Sequence, residues 1–214
     1  MSTENEPLLS KDDLEKKYKE EKEKIDIILK EAKYDEAYKG YNDLIMNIEK
    51  DIRKNTSLQK EDVDEIKKIY LIPCYSNLSY INIKQKKWKS VIENANTILE
   101  IDKKNTKALY RKCYAEINLS EYENAEETLY QLKNLIGDSP EFENLKKSFE
   151  EKKTSDKLQE MKKYRKMMNY YHKLNEEKEY KEMSKIGKFF YGCHSCLKKI
   201  FCCCNKRKTI KRLY

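Results

Sequence analysis

Glycine and proline are scarce in this chain, 4 and 3 among 214 residues, so few positions can break a helix or force a tight turn. No segment alternates apolar and polar residues convincingly enough to read as a strand. Histidine is limited to His172 and His194. No Ser, His and carboxylate constellation is recognisable, so neither an enzymatic activity nor a cofactor is expected. No apolar run approaches the roughly 20 residues that cross a bilayer. Residues 1–24 are polar and lack the apolar core of a secretory signal, so the expected location is cytoplasmic and reducing.

What is present is charge, at 39% of residues, beside 38% hydrophobic residues. Abundant Lys and Glu with few breakers point to an all-α chain of solvated helices. The net charge of +8 is unevenly placed. Residues 1–184 hold 37 basic and 38 acidic side chains, whereas residues 185–214 hold nine basic and no acidic ones. Cysteines follow a similar division. Cys74 and Cys113 lie on helical patterns in the body, and Cys193, Cys196, Cys202, Cys203 and Cys204 crowd the tail.

Trp88 and Tyr122 are 34 residues apart, as are Val91 and Ala125. An aromatic residue followed three positions later by a small or β-branched one, repeated at this period, is the signature of a tetratricopeptide array. Tyr34 and Ala37 carry the same pair one repeat and 20 residues before Trp88. The extra length is expected to prolong the second helix of repeat one and the first helix of repeat two, with a break near residues 55–57 and a kink at Pro73. The expected organisation is a flexible lead (1–11), a three-repeat domain (12–140) forming a right-handed superhelix, a long capping and extension helix (141–185) and a Cys-rich basic tail (186–214). The short turns fall at Gln85–Lys87 and Leu119–Glu121. Glu4, Leu8 and Leu9 have the spacing of a sorting signal, but an unstructured end is the simpler reading.

The motifs Asn77-Leu78-Ser79, Ile101-Asp102-Lys103-Lys104-Asn105 and Lys107-Ala108-Leu109-Tyr110-Arg111 resemble the repeats of large immunophilins, the FK506-binding-protein type of co-chaperone. The upstream isomerase domain of those proteins has no counterpart here, so no prolyl isomerase activity is expected. The resemblance implies a non-enzymatic adaptor whose groove grips the C-terminal tail of a heat-shock chaperone ending in Glu-Glu-Val-Asp through a carboxylate clamp. It implies clamp roles for Lys22, Asn77, Lys107 and Arg111. Lys107 and Arg111 are four apart and share a helix face, and Asn77 holds the repeat position of Arg111 one period earlier.

Asp26 and Ile25 depart from the family pattern, which has asparagine and glycine there. An ionised aspartate accepts hydrogen bonds and repels a ligand carboxylate unless a lysine or a proton intervenes. Asp26 therefore favours the alternative reading, a scaffold or trafficking receptor whose groove takes a different peptide.

In the tail, Phe189, Phe190, Tyr191, Leu197, Ile200 and Phe201 mix with basic residues, the composition of an interfacial segment against an anionic membrane surface. Its five cysteines are candidates for S-acylation, which would place the protein on the cytosolic face of a membrane. Zinc is the competing reading, disfavoured because a second spaced Cys-x-x-Cys pair is missing. No nucleic-acid partner is expected, because no recognised motif accompanies the basic residues. Leu158–Leu174, basic and amphipathic with Met161, Met167 and Met168, makes calmodulin a secondary candidate partner.

Overall fold

The computed structural model describes residues 10–189, with side chains from residue 10 to residue 183. The dileucine motif and the tail cysteines lie outside the described residues. Among the described residues there is no strand. Helices α1 (Lys11–Lys30) and α2 (Tyr34–Lys54) form the first hairpin. The second pairs a composite helix, α3 (Lys60–Ile66) running through a π-helical turn (Lys67–Leu71) into α4 (Ile72–Lys84), with α5 (Trp88–Ile101). Helices α6 (Thr106–Asn118) and α7 (Tyr122–Ile136) form the third, and α8 spans Pro140–Phe189.

Local chemistry fixes the helix ends. Ser10 caps α1 by accepting from the Asp13 N–H at 3.3 Å, with Asp12 and Asp13 in the first turn. Ser10 and Lys11, expected within the flexible lead, belong to the helix boundary, and Lys11 pairs with Asp62 and Glu65 at 3.0 and 2.6 Å. Asn105 caps α6 through the Ala108 N–H at 3.0 Å. Gly137 supplies the positive φ of 62° that closes α7.

The three hairpin turns share one geometry that the sequence does not advertise. Their middle residues, Ala32, Lys86 and Ser120, have φ of 57°, 56° and 61°. In each turn the next N–H reaches back five residues: Lys33 to the Ile28 carbonyl, Lys87 to that of Asn82, and Glu121 to that of Glu116. These are Schellman closures made without glycine. They bring the second helix back antiparallel after only three residues, as close packing of the hairpin requires.

Ahead of Pro73 the interruption takes the form of the π-helical turn at Lys67–Leu71. Proline lacks the N–H that would continue the helical ladder, and a wider turn reassigns the hydrogen bonds around it.

The chain divides into two compact units, with the boundary between Asp156 and Lys157. In the first unit the small residues Ala37, Val91 and Ala125 are fully buried at the helix crossings. Trp88 meets Tyr114 edge-on at 5.7 Å, and Tyr122 meets Phe149 at 5.9 Å. The start of α8 therefore takes the place that the next repeat's helix would fill. Phe142, Leu145 and Phe149 are buried there, so the first unit extends past residue 140 to include the cap. In the second unit, Leu158, Met161, Met168 and Tyr171 are exposed.

Candidate functional site: a cationic groove with an internal carboxylate

Lys22, Asp26, Asn77 and Lys107 line one groove of about 690 Å³, brought together from α1, α4 and α6. Ile25 reaches the crossing of α1 and α2 opposite Gly40, where a Cβ would sit 3.0 Å from Ile25 Cγ1. The glycine missing from α1 is thus compensated by one on α2, and the turn that carries Asp26 packs closely.

Asp26 is the hub of the groove floor. Its Oδ2 takes the Lys22 ammonium at 2.6 Å, and its Oδ1 accepts from the Tyr41 hydroxyl at 2.5 Å and the Asn77 amide at 3.2 Å. Asn77 also donates to the Tyr41 oxygen at 2.8 Å. Tyr41 is fully buried, and burial together with Asp26 pushes its phenol well above the usual value. Cys74 lies below, buried, its thiol pushed up to about 12 by desolvation. A thiol held so firmly protonated is inert packing.

Arg111 is not among the groove-lining residues. Its guanidinium donates to the Ser76 carbonyl and to Ser76 Oγ, the latter at 2.7 Å, fastening α6 to α4. Ser76 itself lines the groove. Lys107 is held below its ordinary pKa by desolvation and then by the neighbouring Arg111 charge. Among the described residues no acid pairs with the ammonium groups of Lys30, Lys104 or Lys107, all of which line the groove. Asp102 is engaged locally, accepting from the Lys104 N–H at 3.1 Å and the Asn105 amide at 3.2 Å.

Tyr41, Ser76, Lys30 and Lys104 were not legible as site residues. Tyr41 and Ser76 sit on helical patterns that read as packing, and single lysines in a Lys-rich chain carry no signal. Among the described residues no group of three His, Cys, Asp or Glu side chains could hold a metal ion, and no helix is long and apolar enough to cross a membrane.

Paired antiparallel hairpins with a lined groove match solved structures over most of the described chain. The C-terminal repeat domain of a putative FK506-binding protein from Plasmodium falciparum superposes with a TM-score of 0.57 at 24% identity, covering 72% of this chain and 97% of that one. This is a tetratricopeptide-repeat fold. The Hsp90 co-chaperone Cns1 from Saccharomyces cerevisiae also gives a TM-score of 0.57, at 16% identity, over 73% of this chain and 45% of that one. In sequence, 102 residues of this chain are 28% identical to the bovine peptidyl-prolyl cis-trans isomerase FKBP4, 48% of this chain and 21% of the relative. The chain thus covers about a fifth of that protein's length. No protein-family model matches the chain. The three hairpins stack in chain order as the right-handed superhelix of tetratricopeptide arrays.

Proposed function

We propose that this tetratricopeptide protein is a non-enzymatic adaptor whose groove docks the acidic C-terminal tail of a heat-shock chaperone at Lys107, the other clamp candidates Lys22, Asn77 and Arg111 being engaged by Asp26 and Ser76. The observation that carries this reading is the excess of unpaired ammonium groups lining one groove, at Lys30, Lys104 and Lys107. The opposite charge of a bound carboxylate would offset the desolvation and repulsion that now depress the Lys107 pKa. The structural similarity to an Hsp90 co-chaperone makes a chaperone tail the first ligand to test.

Calorimetry of the full-length chain with a Met-Glu-Glu-Val-Asp peptide is the direct experiment. Lys107→Ala is expected to weaken binding about tenfold, as loss of a charge-assisted contact does. Equal binding by the variant would exclude this groove as the docking surface. The second reading, a scaffold taking another peptide, is supported by Asp26 already engaging Lys22 and Asn77.

We further propose that residues 186–214 hold the adaptor to the cytosolic face of a membrane, with acyl chains on the tail cysteines supplementing the basic residues. Hydroxylamine cleaves thioesters and leaves charge attraction intact. Release of the protein from the membrane fraction by hydroxylamine is the expected result; retention would leave electrostatic attachment alone.

A further inference from the structure

We infer that Asp26 determines what this groove reads: as an internal carboxylate it retains Lys22 and Asn77, so the groove recognises acidic side chains of a peptide at Lys104 and Lys107 and ignores the peptide's terminal carboxylate. This rests on the groove being a peptide-docking surface, as proposed above.

The cations of the groove are in two different electrostatic states. Beside Lys22 a carboxylate is already present, with an ammonium group on one oxygen and a phenol and an amide on the other. A terminal carboxylate arriving there would have to displace Asp26 from all three donors or share them with a like charge in contact. Displacement would also strip the buried Tyr41 hydroxyl of its Asp26 acceptor, because Asn77 meets the Tyr41 oxygen through its Nδ2 donor. Desolvated polar groups stripped of a partner weigh against such an exchange.

The remaining groove cations are uncommitted. Lys104 and Lys107 line the groove beside Asn105 and Thr106, and neither ammonium group has an acid partner among the described residues. Lys30 adds a third. Charge complementarity therefore selects an extended acidic segment whose side-chain carboxylates reach Lys104 and Lys107. Nothing in that arrangement requires the segment to end there. Lys22, although cationic and groove-lining, is neutralised by Asp26 and contributes little attraction.

The test compares acetyl-Met-Glu-Glu-Val-Asp with a free C terminus and the same peptide amidated, by calorimetry on the full-length chain. The wild type is expected to bind the two within about threefold, whereas Asp26→Asn, which keeps an acceptor for Tyr41 and frees Lys22, should prefer the free acid by about tenfold. Lys22→Gln separates a specificity effect from a folding defect. It should change wild-type affinity by less than about threefold and abolish the preference gained by Asp26→Asn.

Strong preference of the wild type for the free acid would overturn the inference while leaving the peptide-docking function intact. Absence of any change on Asp26→Asn, with the wild type binding, would overturn it equally. Binding of the free acid by Asp26→Asn alone would uphold the role of Asp26 and remove this chaperone tail as the natural ligand. Silence of every variant toward both peptides would remove the docking function and the inference together.

Discussion

Phe149→Ala is expected to destabilise the first unit by about 3–5 kcal/mol and to lower its melting temperature by about 10 °C. Phe149 is 2% exposed and meets Tyr122 edge-on at 5.9 Å, in a cluster with Ala125, Leu129, Leu132, Phe142 and Leu145. Alanine is the better helix former, so the loss measures burial and the cavity left behind, not helix propensity. A terminal repeat without its cap exposes the face that a further repeat would cover.

Polar contacts next to this apolar seam hold α8 in register. Asp156 accepts from the Ser120 and Tyr122 hydroxyls at 2.6 and 2.5 Å and pairs with Lys152 at 2.9 Å. These contacts keep its carboxyl far below the usual range, with the Ser120 hydrogen bond the largest cause. Since Asp156 is solvent-accessible, its pairing orients the helix more than it stabilises it. Thermal melts followed by circular dichroism check the Phe149 prediction. A shift of about 2 °C or less would mean that α8 is not the cap of the array.

Glu116→Met is expected to stabilise the protein by about 1–2 kcal/mol at pH 8, and by less at pH 4. Glu116 is 2% exposed, and its Oε2 has no hydrogen-bond partner. Desolvation raises its pKa, aided by Glu121 and Glu127 and opposed by a hydrogen bond from Thr128 and the charge of Lys112. A carboxyl whose folded pKa is raised holds its proton more tightly when folded. Its contribution to stability is present below the unfolded pKa and is lost as pH rises through the folded one. Methionine of similar length does not titrate, so the difference between variant and wild type should widen from pH 4 to pH 8. Guanidinium denaturation at the two pH values measures it, and a constant difference would place the Glu116 carboxylate in contact with solvent or a cation.

Much of this array was written into the chain because tetratricopeptide geometry is local. A 34-residue period, the turns at Gln85–Lys87 and Leu119–Glu121 and the small residues at Ala37, Val91 and Ala125 each follow from helix periodicity and short-range turn chemistry. The break after Lys54 and the burial of Phe142, Leu145 and Phe149 on α8 were legible for the same reason. Helix α1 begins inside the expected lead because a serine cap followed by two acids is a stronger start signal than its terminal position suggests.

The site divides along the same line. Sequence alone placed Lys107 and Arg111 on one helix face and gave Asn77 the equivalent place one repeat earlier, since a repeat maps position onto direction. It also placed Lys22 and Asp26 four apart, close enough to pair along α1. Only tertiary packing decided that Asp26 would take Tyr41 from 15 residues away and Asn77 from 51. Packing also turned Arg111 onto Ser76 while leaving Lys30, Lys104 and Lys107 unpaired in the groove. Helix periodicity fixes the face on which a side chain emerges. Its partners are set by how three hairpins stack, which depends on contacts such as Trp88 of the second hairpin against Tyr114 of the third that no single repeat encodes.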